Sequence, residues 1–189
     1  MPRGATVWLT GLPAAGKTTI GDAVAVGLDE AGYATYRLDG DVLRRTLCSD
    51  LGFDAASREQ NILRAAAVAQ ILADAGLLVV ASLISPYRAA RHQARELHAA
   101  KELPFIEVYV DTSVAECERR DPRGLYAQAR RGEITGFTGI DDPYEAPEAP
   151  EITLRTELES VTEASRAVLE VVLGLDLSQA LRRPATPLS

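Results

Sequence analysis

Residues 5–31 read ATVWLTGLPAAGKTTIGDAVAVGLDEA. An apolar run ends at Gly11, four residues intervene, and Gly16, Lys17 and Thr18 follow before apolar residues resume at helical spacing. The pattern is GxxxxGK[ST], and its required context, a strand before and a helix after, is present. Glycines allow backbone angles that let successive N–H groups converge on phosphate oxygens, and a helix N-terminus adds a fixed positive end. Gly11, Leu12, Pro13, Ala14, Ala15, Gly16, Lys17, Thr18 and Thr19 are therefore expected to cradle a nucleoside triphosphate. Lys17 bridges the outer phosphates, the Thr18 hydroxyl completes a magnesium shell, and Thr19 supports a phosphate.

Outward from this loop, runs rich in valine, isoleucine and leucine alternate with longer helical segments, the pattern of strands buried on both faces by helices. Strands are expected at 5–10, 33–38, 77–82 and 105–110, with a weaker fifth near 152–154. Helices are expected at about 17–31, 58–75, 87–101 and 113–120. A last helix starts at Ser160, where SVTE offers a serine cap with Glu163 three residues on, and stops at Gly174. The fold class is α/β, a three-layer P-loop NTPase-type fold with a parallel five-stranded sheet. Residues 121–151 hold four prolines, four glycines and one candidate helix at 124–131. So long an irregular stretch in a small domain is expected to be a lid, and Tyr126, Phe137 and Tyr144 give it side chains to close with. A single domain is expected over 1–175, with a flexible tail over 176–189.

The chain has 189 residues, 20 Lys and Arg against 27 Asp and Glu, a net charge of −7 and a pI near 4.9. That balance argues against nucleic acid and anionic membranes as partners, so an anion must be caught locally. No charged leader and no membrane-length apolar run is seen, and a cytoplasmic protein is expected. Cys48 and Cys117 have no partner at CxxC spacing and read as packing thiols. His92 and His98 match no ligand spacing and read as solvated.

Five further stretches are LDGDVLRRTLCSDLGFDAASREQNILRAA from residue 38, ISPYR at 84–88, FIEVYVDTSVAECERRD at 105–121, RGLYAQAR at 123–130 and FTGIDDPYEAPEAPE at 137–151. Together they resemble the adenylylsulfate kinases over roughly residues 4–172. That family uses ATP to phosphorylate the ribose 3'-hydroxyl of adenosine 5'-phosphosulfate (APS), giving the sulfate donor PAPS. The resemblance implies ATP and Mg²⁺, APS as acceptor, a homodimer as a possible assembly, and a functional link to sulfate adenylyltransferase.

Its site residues carry over position by position. Asp39 and Asp41 leave a strand end beside the phosphate loop, where open parallel sheets bind ligands. One orients magnesium or its waters and the other accepts a hydrogen bond from the attacking hydroxyl, or either simply caps a helix. The resemblance favours Asp39 for the metal or base role. Arg44, Arg58 and Asn61 match contacts to the phosphosulfate and its nucleoside, and a guanidinium fork suits paired anionic oxygens. Phe53 and Phe137, two of only three phenylalanines, match the aromatics that hold the acceptor's adenine. Ile84, Arg123 and Leu125 fall among its acceptor contacts. Arg120 matches a residue that covers the donor's adenine, or forms a helix-end ion pair. Ser85 matches a position assigned to a phosphoserine intermediate. In-line transfer to a positioned hydroxyl needs no such relay.

The chain also departs from the family. Val42 replaces the asparagine of DGDNVR, Asp54 and Ser57 replace the serine and aspartate of FSxxDRxE, Arg123 replaces a lysine, and GLPAAGKTT replaces GLSGAGKST with the loss of a glycine. These substitutions read as lineage drift rather than a related but different acceptor, because Arg44, Phe53, Arg58, Asn61 and Phe137 are all kept. The competing readings are a P-loop kinase of another small alcohol, and a nucleotide-binding partner of sulfate adenylyltransferase that has lost turnover.

Overall fold

The computed structural model describes residues 3–183. Its first strand, β1 (Ala5–Thr10), is buried at every position. Alternate side chains serve opposite faces, as the period of two in a strand demands. Val7 and Leu9 enter one core, and Trp8 enters another on the opposite face. Such a strand must lie mid-sheet, and it does. With β2 (Thr35–Asp39), β3 (Leu78–Ser82), β4 (Phe105–Asp111) and β5 (Ile152–Arg155), it forms a five-stranded sheet in the order β2-β3-β1-β4-β5. All four pairings are parallel, with Val7 opposite both Val80 and Ile106.

Helices cover both faces, giving the three layers expected. On one side lie α1 (Lys17–Glu30) and α7 (Val161–Leu173), which pack together and bury Val24, Leu28, Val168 and Val172. On the other lie α3 (Ala55–Asp74) and α4 (Arg88–Ala99), where Ala65, Ala66, Ala69 and Ala94 allow close approach to Trp8 and Phe105. The α7 start is the expected capping box, with Glu163 N donating to Ser160 Oγ and Ser160 N donating to the Glu163 carboxylate. One element escaped the sequence reading: α2 (Gly40–Arg45), too short to show a period and capped by Asp39. The insertion holds only α6 (Leu125–Arg130), after α5 (Val114–Arg120).

Two expectations need correction. The loose tail from residue 176 is packed as far as Arg183: Leu177 and Ala180 are buried, and Leu181 exchanges backbone hydrogen bonds with Ala34 and Gly76. The Arg182 guanidinium lies 3.7 Å from the centre of the Tyr33 ring. A few apolar residues, too irregularly spaced to register as a period, are enough to dock this segment. Residues 184–189 lie outside the described residues.

His98, expected in solvent, is fully buried, whereas His92 is exposed beside Glu96. His98 Nδ1 lies 2.8 Å from the Ala94 carbonyl, which can only accept, so Nε2 accepts from the Thr6 hydroxyl at 2.9 Å. Burial pulls the His98 pKa below its ordinary 6.5. The unfolded chain then binds the extra proton first, so stability is fully present above pH 6.5 and falls as pH drops below it. Urea unfolding between pH 7.5 and 5 should show this decline, limited to about 1.4 kcal/mol per pH unit, and His98→Gln should lack it. An unchanged pH slope in the variant would refute the assignment.

Candidate active site

Because the sheet is parallel, β1, β2 and β3 deliver Thr10, Asp39 and Ser82 to the same edge. An open cleft of roughly 1030 Å³ lies there, at the upper end of what one small ligand occupies. Its lining includes Pro13, Ala14, Gly16, Lys17, Thr18, Thr19, Arg120, Thr156, Glu159, Ser160 and Val161, and with them Asp41, Arg44, Phe53, Arg58, Asn61, Ile84, Ser85, Arg123, Leu125 and Phe137. Gly11, Leu12 and Ala15 lie behind its wall. The segment 156–164 enters the lining unforeseen, since the sequence marked it only as a helix start.

The loop geometry explains two of its glycines. Gly11 has φ 151°, and a Cβ there would stand 2.6 Å from the Val110 carbonyl oxygen. Gly16 takes φ 104° as the residue that opens α1. Ala14, where the family's glycine is missing, still adopts φ 60°, a left-handed conformation costing roughly 1–2 kcal/mol for a residue with a Cβ. The Ala15 carbonyl faces backward and accepts from Thr112, Thr156 and Arg120. That clamps the loop from behind.

Lys17 is buried, and its ammonium donates to the Leu12 carbonyl at 2.7 Å. Burial lowers its pKa to about 8, with Cys117, Asp39 and Asp41 opposing the fall. Thr18 and Asp39, expected to share a metal, are in contact: the Thr18 hydroxyl donates to Asp39 Oδ2 at 3.1 Å. Asp39 Oδ1 accepts from the N–H groups of Asp41 and Val42. Capping and a face toward the phosphate loop therefore coexist in one carboxylate. Asp41 is exposed and pairs with Arg123 at 2.7 Å, across from α2 to the insertion.

Several expected contacts are already committed within the protein. Arg58, read as a substrate ligand, gives Nε to the Phe53 carbonyl, Nη1 to the Thr138 hydroxyl and Nη2 to the Gly136 carbonyl. It also lies 3.7 Å from the Asp142 carboxylate. Arg58 thus bolts together the two loops that carry Phe53 and Phe137. Arg120 donates to Glu116, Ala15 and Thr156, so of its two readings the helix-end ion pair is present. With Arg119 it holds the Glu116 carboxyl down at about 2.

Ser85 is held within the protein. It is 1% exposed, its hydroxyl accepts from Trp8 Nε1 at 3.1 Å and donates to Thr10 Oγ1 at 2.9 Å, and its backbone has φ 41°. Both hydrogen-bonding roles of that hydroxyl are satisfied inside the protein, which argues against a phosphorylated relay.

The aromatic pair is asymmetric. Phe53 is 63% exposed with the Arg44 guanidinium 4.4 Å from its ring centre. Phe137 is 8% exposed and packs edge-on against Tyr126, at 4.9 Å between centroids. Burial, then the neighbouring Arg58 charge, lowers the pKa of Arg44. Asn61, on the same face of α3 as Arg58, is 5% exposed. Its Oδ1 has no hydrogen-bond partner among the described residues. That buried acceptor on the cleft wall is open to a donor from water or a ligand.

The insertion is anchored by its own aromatics. Tyr126 Oη donates to the Pro13 carbonyl, and Tyr144 stacks on Tyr109 with its hydroxyl 2.9 Å from Thr10 Oγ1. Burial raises the pKa of both phenols, Tyr126 and Tyr144, so they stay protonated.

Comparison with known proteins gives consistent likenesses. The family described as Adenylylsulphate kinase matches residues 3–155. The adenylyl-sulfate kinase of Halothermothrix orenii is 49% identical over 168 residues, covering 89% of each chain. The bifunctional enzyme NodQ of Rhizobium sp. is 51% identical over 177 residues, and the chain spans only 27% of its length. Among solved structures, the Mycobacterium tuberculosis APS kinase CysC in complex with AMPPNP and APS superposes with a TM-score of 0.89. It is 46% identical, with 92% of this chain and 100% of that one covered.

Proposed function

The chain belongs to the adenylylsulphate kinase family, and from that premise we infer that it transfers the γ-phosphoryl group of ATP to the 3'-hydroxyl of APS, giving PAPS. The observation that carries this reading is one cleft lined both by the phosphate loop and by Arg44, Arg58, Arg123, Phe53, Phe137 and the unpartnered Asn61.

The donor's phosphates lie on the N–H groups of residues 13–19, and the Lys17 ammonium, which has three donors, turns from Leu12 toward their oxygens. Thr18 and Asp39 fit magnesium. No cluster of three or more His, Cys, Asp or Glu that could hold a metal occurs among the described residues, and magnesium on nucleotides takes one or two protein oxygens with phosphates and water completing the shell. Once bound there, it neutralises charge on the transferring oxygens. Asp39 Oδ2 accepts from the Thr18 hydroxyl of the loop, whereas Asp41 is paired with Arg123, which favours Asp39 over Asp41 for orienting the attacking hydroxyl.

The acceptor's adenine enters between Phe53 and Phe137, and an amino or hydroxyl group of the nucleoside donates to Asn61 Oδ1. Arg44 and Arg123 supply the cations for the phosphosulfate, because Arg58 is held by the protein. Arg123 then exchanges Asp41 for the substrate's anion. Ser85 acts by shaping the wall. A homodimer, a link to a sulfate adenylyltransferase and a cytoplasmic location belong to the same proposal. No helix of the described residues is long and apolar enough to cross a membrane.

The test is ADP release by the purified protein with ATP and magnesium, offered APS or a panel of small alcohols and sugars. Turnover with APS alone is the expected result. Turnover confined to another acceptor would overturn the assignment, and none with any acceptor would favour a nucleotide-binding partner without catalysis.

A further inference from the structure

Ser85 is a non-glycine residue in the left-handed region on the wall of the cleft. Such strain persists only where the surroundings over-determine it, and it clusters where function needs a fixed geometry. Buried hydrogen bonds hold Ser85 on both its hydroxyl and its carbonyl. The hydroxyl accepts from Trp8 and donates to Thr10. The carbonyl accepts from Arg91, whose Nη1 donates to it at 2.6 Å.

Arg91 does not line the cleft and is 3% exposed. Its Nε donates to Glu107 Oε1 at 2.8 Å, and its Nη2 donates to the Glu145 carbonyl at 2.6 Å. One planar fork thus joins the β3 end, β4 and the strap over 142–146. Other bonds tie that strap to the same turn. Glu145 N donates to the Pro86 carbonyl, Arg88 N to the Glu145 carboxylate, and Tyr87 Oη to Asp142 Oδ1 at 3.0 Å. Asp142 in turn fixes the Phe137 loop, its N–H donating to the Phe137 carbonyl and its carbonyl accepting from Gly139 N.

We propose that Arg91 is a positioning residue for the acceptor half of the cleft, setting the Ser85 turn and the Phe137 loop at one mutual distance through its grip on the 142–146 strap. The proposal rests on the reading of that half as the acceptor site. Arg91 itself bonds no residue of the phosphate loop, which, among the described residues, meets the Ser85 turn only through Thr10 and the Gly11 N–H on the Ile84 carbonyl, so loss of Arg91 should fall mainly on the acceptor half.

The test is steady-state kinetics of ADP release for wild type, Arg91→Lys and Tyr87→Phe, varying ATP and APS separately. Arg91→Lys keeps a cation beside Glu107, preserving the fold, but a point ammonium cannot donate in three fixed directions. Its KM for APS should rise at least about tenfold, the scale of a sub-ångström to ångström misplacement, with KM for ATP within about twofold. Tyr87→Phe, which removes only the hydroxyl on Asp142, should shift the same constant in the same direction. His98→Gln, a buried change outside the cleft, should move neither, which separates positioning from general loss of stability. Should both variants leave KM for APS unchanged, or raise both constants alike, while the wild type phosphorylates APS, the proposal is overturned and the assigned reaction stands. A wild type inactive on APS would overturn both.

Discussion

Lys17→Met should lower kcat by about 10³-fold, the upper range for removing one preorganised donor from developing charge in a dry site. The structure gives two reasons for so large an effect. The ammonium is buried, so water does not replace it, and its own burial cost has already lowered its pKa to about 8. Methionine fills similar volume without charge, and the fold should survive because the only side-chain bond lost is to the Leu12 carbonyl. Measured with saturating APS, the variant should retain near-normal binding of APS by calorimetry while turnover disappears. A loss of less than about tenfold in kcat would remove Lys17 from the transition state.

Arg58→Met should damage the acceptor half and the fold together. Its guanidinium bonds to Phe53, Gly136 and Thr138, and removing one partner from such a buried charged network costs about 3–5 kcal/mol. Freed from the bolt, the Phe53 and Phe137 loops lose their mutual spacing. The kcat/KM for APS should then fall by about 10²-fold or more, a rate factor equivalent to the lower end of that energy, while KM for ATP changes little. Thermal unfolding and kinetics on the same preparation check both halves. A large loss in kcat/KM for APS with unchanged unfolding temperature would instead return Arg58 to direct contact with the substrate.

The sequence made the scaffold legible wherever its signals are local. The phosphate loop is a short pattern whose geometry is set by its own glycines, and β1, β3 and β4 are runs dominated by apolar residues. The Ser160 cap with Glu163 is settled within four residues. The acceptor half was legible only through resemblance: its residues are brought together from α2, α3, the β3 end and the insertion. The short helix α2 was missed for lack of a period, and the docked stretch to Arg183 for lack of any local signal. The mistaken placement of His98 has a similar cause, since only the packing of α4 on β1 brings Thr6 to its ring.

By itself the sequence determined that a nucleoside triphosphate would be gripped where β1 meets α1, on a parallel sheet covered on both faces. Backbone angles and hydrophobic periods are fixed by neighbours in the chain, and they can be read there. Only the tertiary structure decided which polar side chains are bonded within the protein and which are not. Arg58 is bound to partners 78 and 80 residues away, and the Ser85 hydroxyl to one 77 residues away. Asn61, one helical turn from Arg58, keeps a buried oxygen unpaired. A hydrogen bond is satisfied or left open by whatever the fold brings within about 3 Å, and no pattern of residue types along the chain records that distance.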